Sequence, residues 1–243
     1  MSDFELQIAE LKKKIEDLEN KKNTIPSYQY SKIRDVELDK LVEIEENFNT
    51  EIFNKWLNHD INLSNEVINF LTVLIKRQAK YIKIYKEEDL KIKFLTPILN
   101  KVDFFIEEEK IRDFYEEKLT YSSENFTLNG TIDFLVSKGL KKAEKPMFFI
   151  QEFKRAEDYS NPRPQLLAEL ISAVELNNWK TIKGAYIIGE NWNFVILNRL
   201  EKHKYEYFVS RTFNSTNFED LKGIYRNLLF VKQEIIEMVK RGE

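Results

Sequence analysis

Phe148-Phe149-Ile150-Gln151-Glu152-Phe153-Lys154, read beside Gly130-Thr131-Ile132-Asp133-Phe134-Leu135-Val136, decides how this chain folds. Both are short apolar runs rich in Phe, Ile, Leu and Val, the pattern of strands covered on both faces. Side chains alternate along a strand, so Phe148, Ile150, Glu152 and Lys154 share one face. That face begins as core and ends in an acid beside a base, and Asp133 sits inside the neighbouring apolar run. Ionised groups in such places are unfavourable unless paired or bound to a metal. Two carboxylates about 4 Å apart repel by roughly 4 kcal/mol at an effective dielectric near 20. A divalent cation between them turns that repulsion into attraction. Magnesium is held by one or two carboxylates, with water and phosphate oxygens completing its shell. A lysine two residues beyond Glu152, on the same face, can orient or deprotonate a water and offset charge on a phosphorane-like transition state. The competing reading is a solvated rim, with Glu152 and Lys154 as a surface ion pair and Asp133 capping a turn after Gly130.

The arrangement resembles the PD-(D/E)XK nuclease superfamily, whose fold is restriction-endonuclease-like. Asp133, Glu152 and Lys154 fall on its Asp, Asp/Glu and Lys, with Ile132 where the usual Pro stands. Glu87-Glu88-Asp89-Leu90 through Phe94-Leu95-Thr96-Pro97-Ile98-Leu99 is similar to the first core helix, which often turns an acid to the metal. Glu88 is the first choice for that acid, ahead of Glu87. Pro164-Gln165-Leu166-Leu167-Ala168-Glu169 resembles the helix after the lysine strand, where a Gln approaches the lysine. Gly184 to Phe194 is similar to the strand-turn-strand of type I restriction enzyme nuclease domains. The resemblance implies an α/β fold with a mixed central sheet flanked by helices. It implies magnesium or manganese held by Asp133, Glu152 and the main-chain carbonyl of Phe153. Lys154 would position the water, and Gln165 and Glu88 would support it. The activity implied is endonucleolytic hydrolysis of DNA in restriction or defence against foreign DNA. The alternatives are cleavage of RNA and a catalytically inactive dimeric adaptor that kept the fold.

Outward from this core, 243 residues suffice for one large domain or a core with an appendage. Charged residues make up 33% and hydrophobic ones 42%, a globular balance. There is no Cys, which excludes disulfides, thiolate catalysis and Cys-based zinc sites. No apolar run is long enough to span a membrane, and no signal peptide is expected, so the expected compartment is cytoplasmic. A net charge of −3 argues against strong nonspecific nucleic-acid binding and for a local basic lining, or a protein partner that delivers the substrate. His59 and His203 are isolated and lack metal-ligand spacing.

Four segments are expected. Residues 1–25 carry Met1, Phe4, Ile8, Leu11, Ile15, Leu18 and Ile25 at heptad-like spacing, a coiled-coil helix suited to a homodimer. Residues 26–85 form a helical region, with Ser27–Ser31 as hinge, one helix over 35–58 and another beginning at Ser64. Residues 86–212 are the nuclease-like core, with a helix over 87–102 that Pro97 should kink. Residues 213–243 hold a final amphipathic helix packed on the N-terminal helices. The lysines between Ser137 and Pro146, the basic run Lys76–Lys86, Arg155 and Arg163 are candidate phosphate contacts.

Overall fold

A mixed sheet forms the centre of the fold, and the two quoted runs are neighbouring strands within it. The computed structural model describes residues 11, 12, 14, 25–156 and 161–242. The coiled coil expected over 1–25 falls, but for residues 11, 12, 14 and 25, outside the described residues. In chain order the strands are β1 (Ser27–Gln29), β2 (Glu43–Glu46), β3 (Ile111–Ser122), β4 (Thr127–Lys138), β5 (Glu144–Lys154), β6 (Thr181–Ile188), β7 (Asn191–Glu201), β8 (Lys204–Val209) and β9 (Phe213–Asn214). The helices are α1 (Asp35–Leu41), α2 (Asn54–Leu57), α3 (Asn65–Gln78), α4 (Glu87–Leu90), α5 (Thr96–Val102), α6 (Pro162–Asn177) and α7 (Phe218–Lys240).

Across the sheet the order is β1-β4-β5-β6-β7-β8-β2, with β3 on β4 and β9 on β7. β5 and β6 run parallel, joined through α6, while β3–β4, β4–β5 and β6–β7 are antiparallel. Each face carries a core. One contains Phe94, Ile98, Phe134, Phe149, Phe153 and Phe194 under α5 and α7. The other contains Leu135, Ile150, Leu166, Leu170 and Val195 under α6. Asn161 caps α6 by accepting the Arg163 N–H at 2.9 Å, and Pro162 and Pro164 fit the first turn, where an N–H is not needed. Gly184 lets α6 sit close: a Cβ there would lie 2.8 Å from the Ile150 carbonyl and 3.0 Å from Leu170.

Three sequence expectations change. Ser27–Gln29 is a strand paired in parallel with β4, and Tyr30 after it is fully buried, so this stretch is built into the sheet and is no hinge. The single helix expected over 35–58 is α1, β2, a 3-10 turn over Thr50–Phe53 and α2. The reason is that its apolar residues serve two cores. Leu38 and Val42 join the α6 side, Phe53 and Trp56 join the α7 side, and β2 carries the chain past the sheet edge by pairing with β8. Finally, the Pro97 helix is not simply kinked. Lys91–Leu95 is a π-helical turn between α4 and α5, with the Thr96 N–H reaching Lys91 O. Pro97 has no N–H to give to the Lys93 carbonyl, which favours the wider turn. The last helix meets the N-terminal part, where Trp56 Nε1 donates to Asn227 O at 3.0 Å, and also the helix over 96–102, where the Tyr225 hydroxyl donates to Lys101 O at 2.8 Å. Among the described residues no helix is long and apolar enough to cross a membrane.

Candidate active site

One edge of β4 is shared by two strands. β1 pairs with its start at Thr127–Asn129, and β5 with its end from Phe134 to Lys138. Between them residues 130–133 have no strand neighbour on that side among the described residues. Gly130 opens this gap with φ +154°, and a Cβ there would meet the Tyr30 ring at 2.8 Å, so glycine is required. Asp133 closes the gap. Its Oδ2 accepts the Phe153 N–H at 2.8 Å, a side chain standing in for the missing ladder bond. In an extended strand the N–H and C=O of one residue point to the same side. The Phe153 carbonyl therefore also faces Asp133.

The β4–β5 register pairs Phe134 with Gln151, and one further step sets Asp133 opposite Glu152. Their carboxyl groups lie within hydrogen-bonding reach. Lys154 lies on the same face and its Nζ donates to Glu152 Oε1 at 2.5 Å. The three residues read from the sequence thus meet at one point. The solvated-rim reading does not hold for Glu152, whose side chain is 1% exposed. Its Oε2 is buried, with no hydrogen-bond partner among the described residues. Burial, and then the Asp133 charge, push the Glu152 carboxyl well above the ordinary range, with Lys154 pulling it back. Burial opposes the charge on Lys154, but Glu152 outweighs it and holds the ammonium above its usual value.

Sequence reasoning missed three members of the cluster. Lys91, in the π turn, donates to Asp133 Oδ1 and to Glu116 Oε1, each at 2.6 Å. Glu116 falls between Tyr115 and Glu117, which pair with Phe134 and Ile132 across the β3–β4 ladder, and has left-handed backbone, φ 53°. Glu169 is fully buried on α6; its Oε1 accepts Gln165 Nε2 at 3.1 Å and its Oε2 has no partner. Burial, then the charge of Glu152, raise Glu169 well above the ordinary carboxyl range. A charge inside an apolar run was the signal that found Asp133, and Glu169, flanked by Leu166, Leu167, Ala168, Leu170 and Ile171, carries the same signal.

Three expected contributors lie elsewhere, and a fourth, Gln165, reaches the cluster through Glu169. Glu88 is exposed, and Glu87 is the first-turn acid whose charge reaches Lys154. Leu90 and Phe94 point into the core, and a residue three before Leu90 shares its face whereas Glu88 does not. Gln165 turns to Glu169, not to Lys154. Arg163 is engaged by Asp35 at 3.1 Å and Glu46 at 3.4 Å, away from the cluster. The lysine loop joins β4 to β5 at the far end of that hairpin: Lys138 is five residues, roughly 17 Å of strand, from Asp133.

Among the described residues no group of three or more acidic, histidine or cysteine side chains gathers closely enough to cage a metal ion. A magnesium site asks for less, one or two carboxylates with water and phosphate oxygens. Asp133, Glu152 with its free Oε2 and the Phe153 carbonyl meet that requirement. No protein-family model matches the chain, and no curated protein matches it.

Proposed function

We propose that the chain is a magnesium- or manganese-dependent nuclease of restriction-endonuclease-like fold that hydrolyses DNA phosphodiester bonds within the strand, in defence against foreign DNA. The observation that carries this reading is the meeting of Asp133, Glu152 and Lys154 beside a stretch of β4 that, among the described residues, has no strand on that side, with a buried carboxylate oxygen that no described residue hydrogen-bonds. Asp133, Glu152 and the Phe153 carbonyl would hold the metal, which when bound supplies positive charge against the phosphate oxygens and acidifies a water. The chain's own groups do the rest. Lys154, held charged by Glu152, orients the attacking water and stabilises negative charge as it develops at phosphorus. The Phe153 N–H fixes the Asp133 carboxylate through Oδ2. Burial of Glu152 under α6 keeps bulk water from screening these interactions. Glu87, whose charge acts on Lys154, takes the supporting role of the first-helix acid.

The second reading, an adaptor that kept the fold without the activity, draws on Lys91, which already occupies Asp133 Oδ1. RNA in place of DNA uses the same chemistry. Incubation of wild type and Asp133→Ala with supercoiled DNA, linear DNA and RNA, with magnesium, manganese or chelator, separates these. Metal-dependent cutting by wild type alone supports the nuclease. No cutting of any substrate, with no metal binding by calorimetry, establishes the adaptor.

A further inference from the structure

Glu116, Asp133 and Glu152 lie on three adjacent strands, Glu116 between the β3 residues that pair with Phe134 and Ile132, and Glu152 next to Gln151, which pairs with Phe134. Two ammonium groups serve them. Lys154 Nζ donates to Glu152, and Lys91 Nζ sits between Glu116 and Asp133, 2.6 Å from an oxygen of each. The Lys91 side chain is 15% exposed and that of Asp133 11%, so this pair is shielded from water in a way ordinary surface pairs are not. The ammonium also lies 5.9 Å from the centre of the Phe153 ring. The unpartnered oxygen, Glu152 Oε2, belongs to the carboxyl that Lys91 does not reach. Lys91 is carried on the π turn, the one stretch of its helix where the regular hydrogen-bond ladder is already broken.

Resting on the nuclease reading above, we propose that Lys91 is an internal cation that competes with the divalent metal for Asp133. In the metal-free protein it neutralises Asp133 and Glu116 and keeps the strands together. For the metal to engage Asp133 Oδ1, Lys91 must leave that oxygen; Glu116 remains as its second carboxylate, so it moves aside without losing all charge compensation. Lys91 is therefore a positioning residue that sets the metal concentration at which the site fills. A lysine that merely braced the site would have the reverse effect on removal, because a loosened Asp133 binds metal less well.

The test is calorimetric titration of manganese into the metal-free full chain: wild type, Lys91→Met, Lys91→Arg and Asp133→Asn, with circular dichroism to check folding. Lys91→Met is expected to bind manganese about tenfold more tightly than wild type or better, about 1.4 kcal/mol. Lys91→Arg, which keeps the charge, is expected within about threefold of wild type, on the same logarithmic scale. Asp133→Asn is expected to bind none. Binding by Lys91→Met where wild type shows none also supports the proposal. Equal or weaker binding by Lys91→Met, with wild type binding and Asp133→Asn not, overturns the competition and leaves the metal site standing. Equal binding by Asp133→Asn and wild type, or no binding by any of the four, overturns both. If Lys91→Met does not fold, Lys91→Gln replaces it under the same criteria.

Discussion

Glu169 and Glu175 stand on the same helix, α6, and the protein treats them in opposite ways. Glu175 is fully engaged: Arg199 donates to its Oε2 at 3.2 Å and the Tyr205 hydroxyl to its Oε1 at 2.7 Å. Arg199 is itself steadied by Asn178 at 2.9 Å. This clamp ties the end of α6 to β7 and β8, and every acceptor in it has a donor. Glu169 lies in the half of the helix that faces β4 and β5. It is fully buried, receives one amide hydrogen bond and leaves an oxygen with nothing, beside Glu152 in the same condition. Buried carboxyls are almost always paired, so two neighbouring acids that each leave an oxygen without a hydrogen bond among the described residues, and whose charges act on each other, single out this end of α6 as the candidate site. Position along one helix thus separates a carboxylate that braces the fold from one beside the proposed site, although both are acids near a base.

Substitutions at the two ends should divide cleanly. The largest effect is expected at the cluster: Asp133→Asn, which keeps an oxygen for the Phe153 N–H but loses the charge, should cut metal-dependent cleavage by at least about a hundredfold. The protein should remain folded by circular dichroism. Glu175→Gln should do the converse. It loses the Arg199 ion pair at a half-buried site, a cost of about 1–3 kcal/mol in urea melts, while cleavage by the folded protein stays within about threefold of wild type. If Glu175→Gln abolished cleavage while remaining folded, the division of α6 into a structural and a functional half would be wrong.

How much of this was visible in the sequence follows from the range of each signal. Asp133, Glu152 and Lys154 were legible because charge stands out inside an apolar run, and both strands formed where those runs lie. Glu169 carries the same signal, a charge inside an apolar run, but was not read from it. Lys91 and Glu116 were not legible. Lys91 sits in Lys91-Ile92-Lys93 and Glu116 in Tyr115-Glu116-Glu117-Lys118, both of which read as solvated faces. What distinguishes them is a meeting of segments 25 and 42 residues apart, which no local pattern encodes. The choice of Glu88 over Glu87 failed by one helical position, because the face is fixed by Leu90 and Phe94 packing and not by the order of the acids. The segment 35–58 misled because its apolar spacing mimics one helix. Asn47 and Asn49 in its middle were the overlooked interruption, and Asn49 caps the turn that follows by accepting the Glu51 N–H at 3.0 Å. Helical periodicity records that a residue is buried but not against which face of a sheet.

The smallest effect, and the finest test of the contrast along α6, is the pH dependence of Glu169→Gln in chelator. Glu169 has an ordinary value of 4.5 when unfolded and a raised one in the folded state, first through burial and then through Glu152. Below pH 4.5 both states hold the proton and the carboxyl takes nothing from stability. Above it the unfolded chain releases the proton while the folded chain keeps it, so stability falls with rising pH until the folded carboxyl itself ionises. Gln keeps the shape and cannot ionise in either state. The variant should therefore gain on wild type by on the order of 1 kcal/mol between pH 5 and pH 7, and the gain should vanish towards pH 4. Urea melts across that range measure it directly. A difference independent of pH would mean that Glu169 ionises as easily inside the fold as outside it. The buried end of α6 would then be no more acid-strained than the clamped end at Glu175.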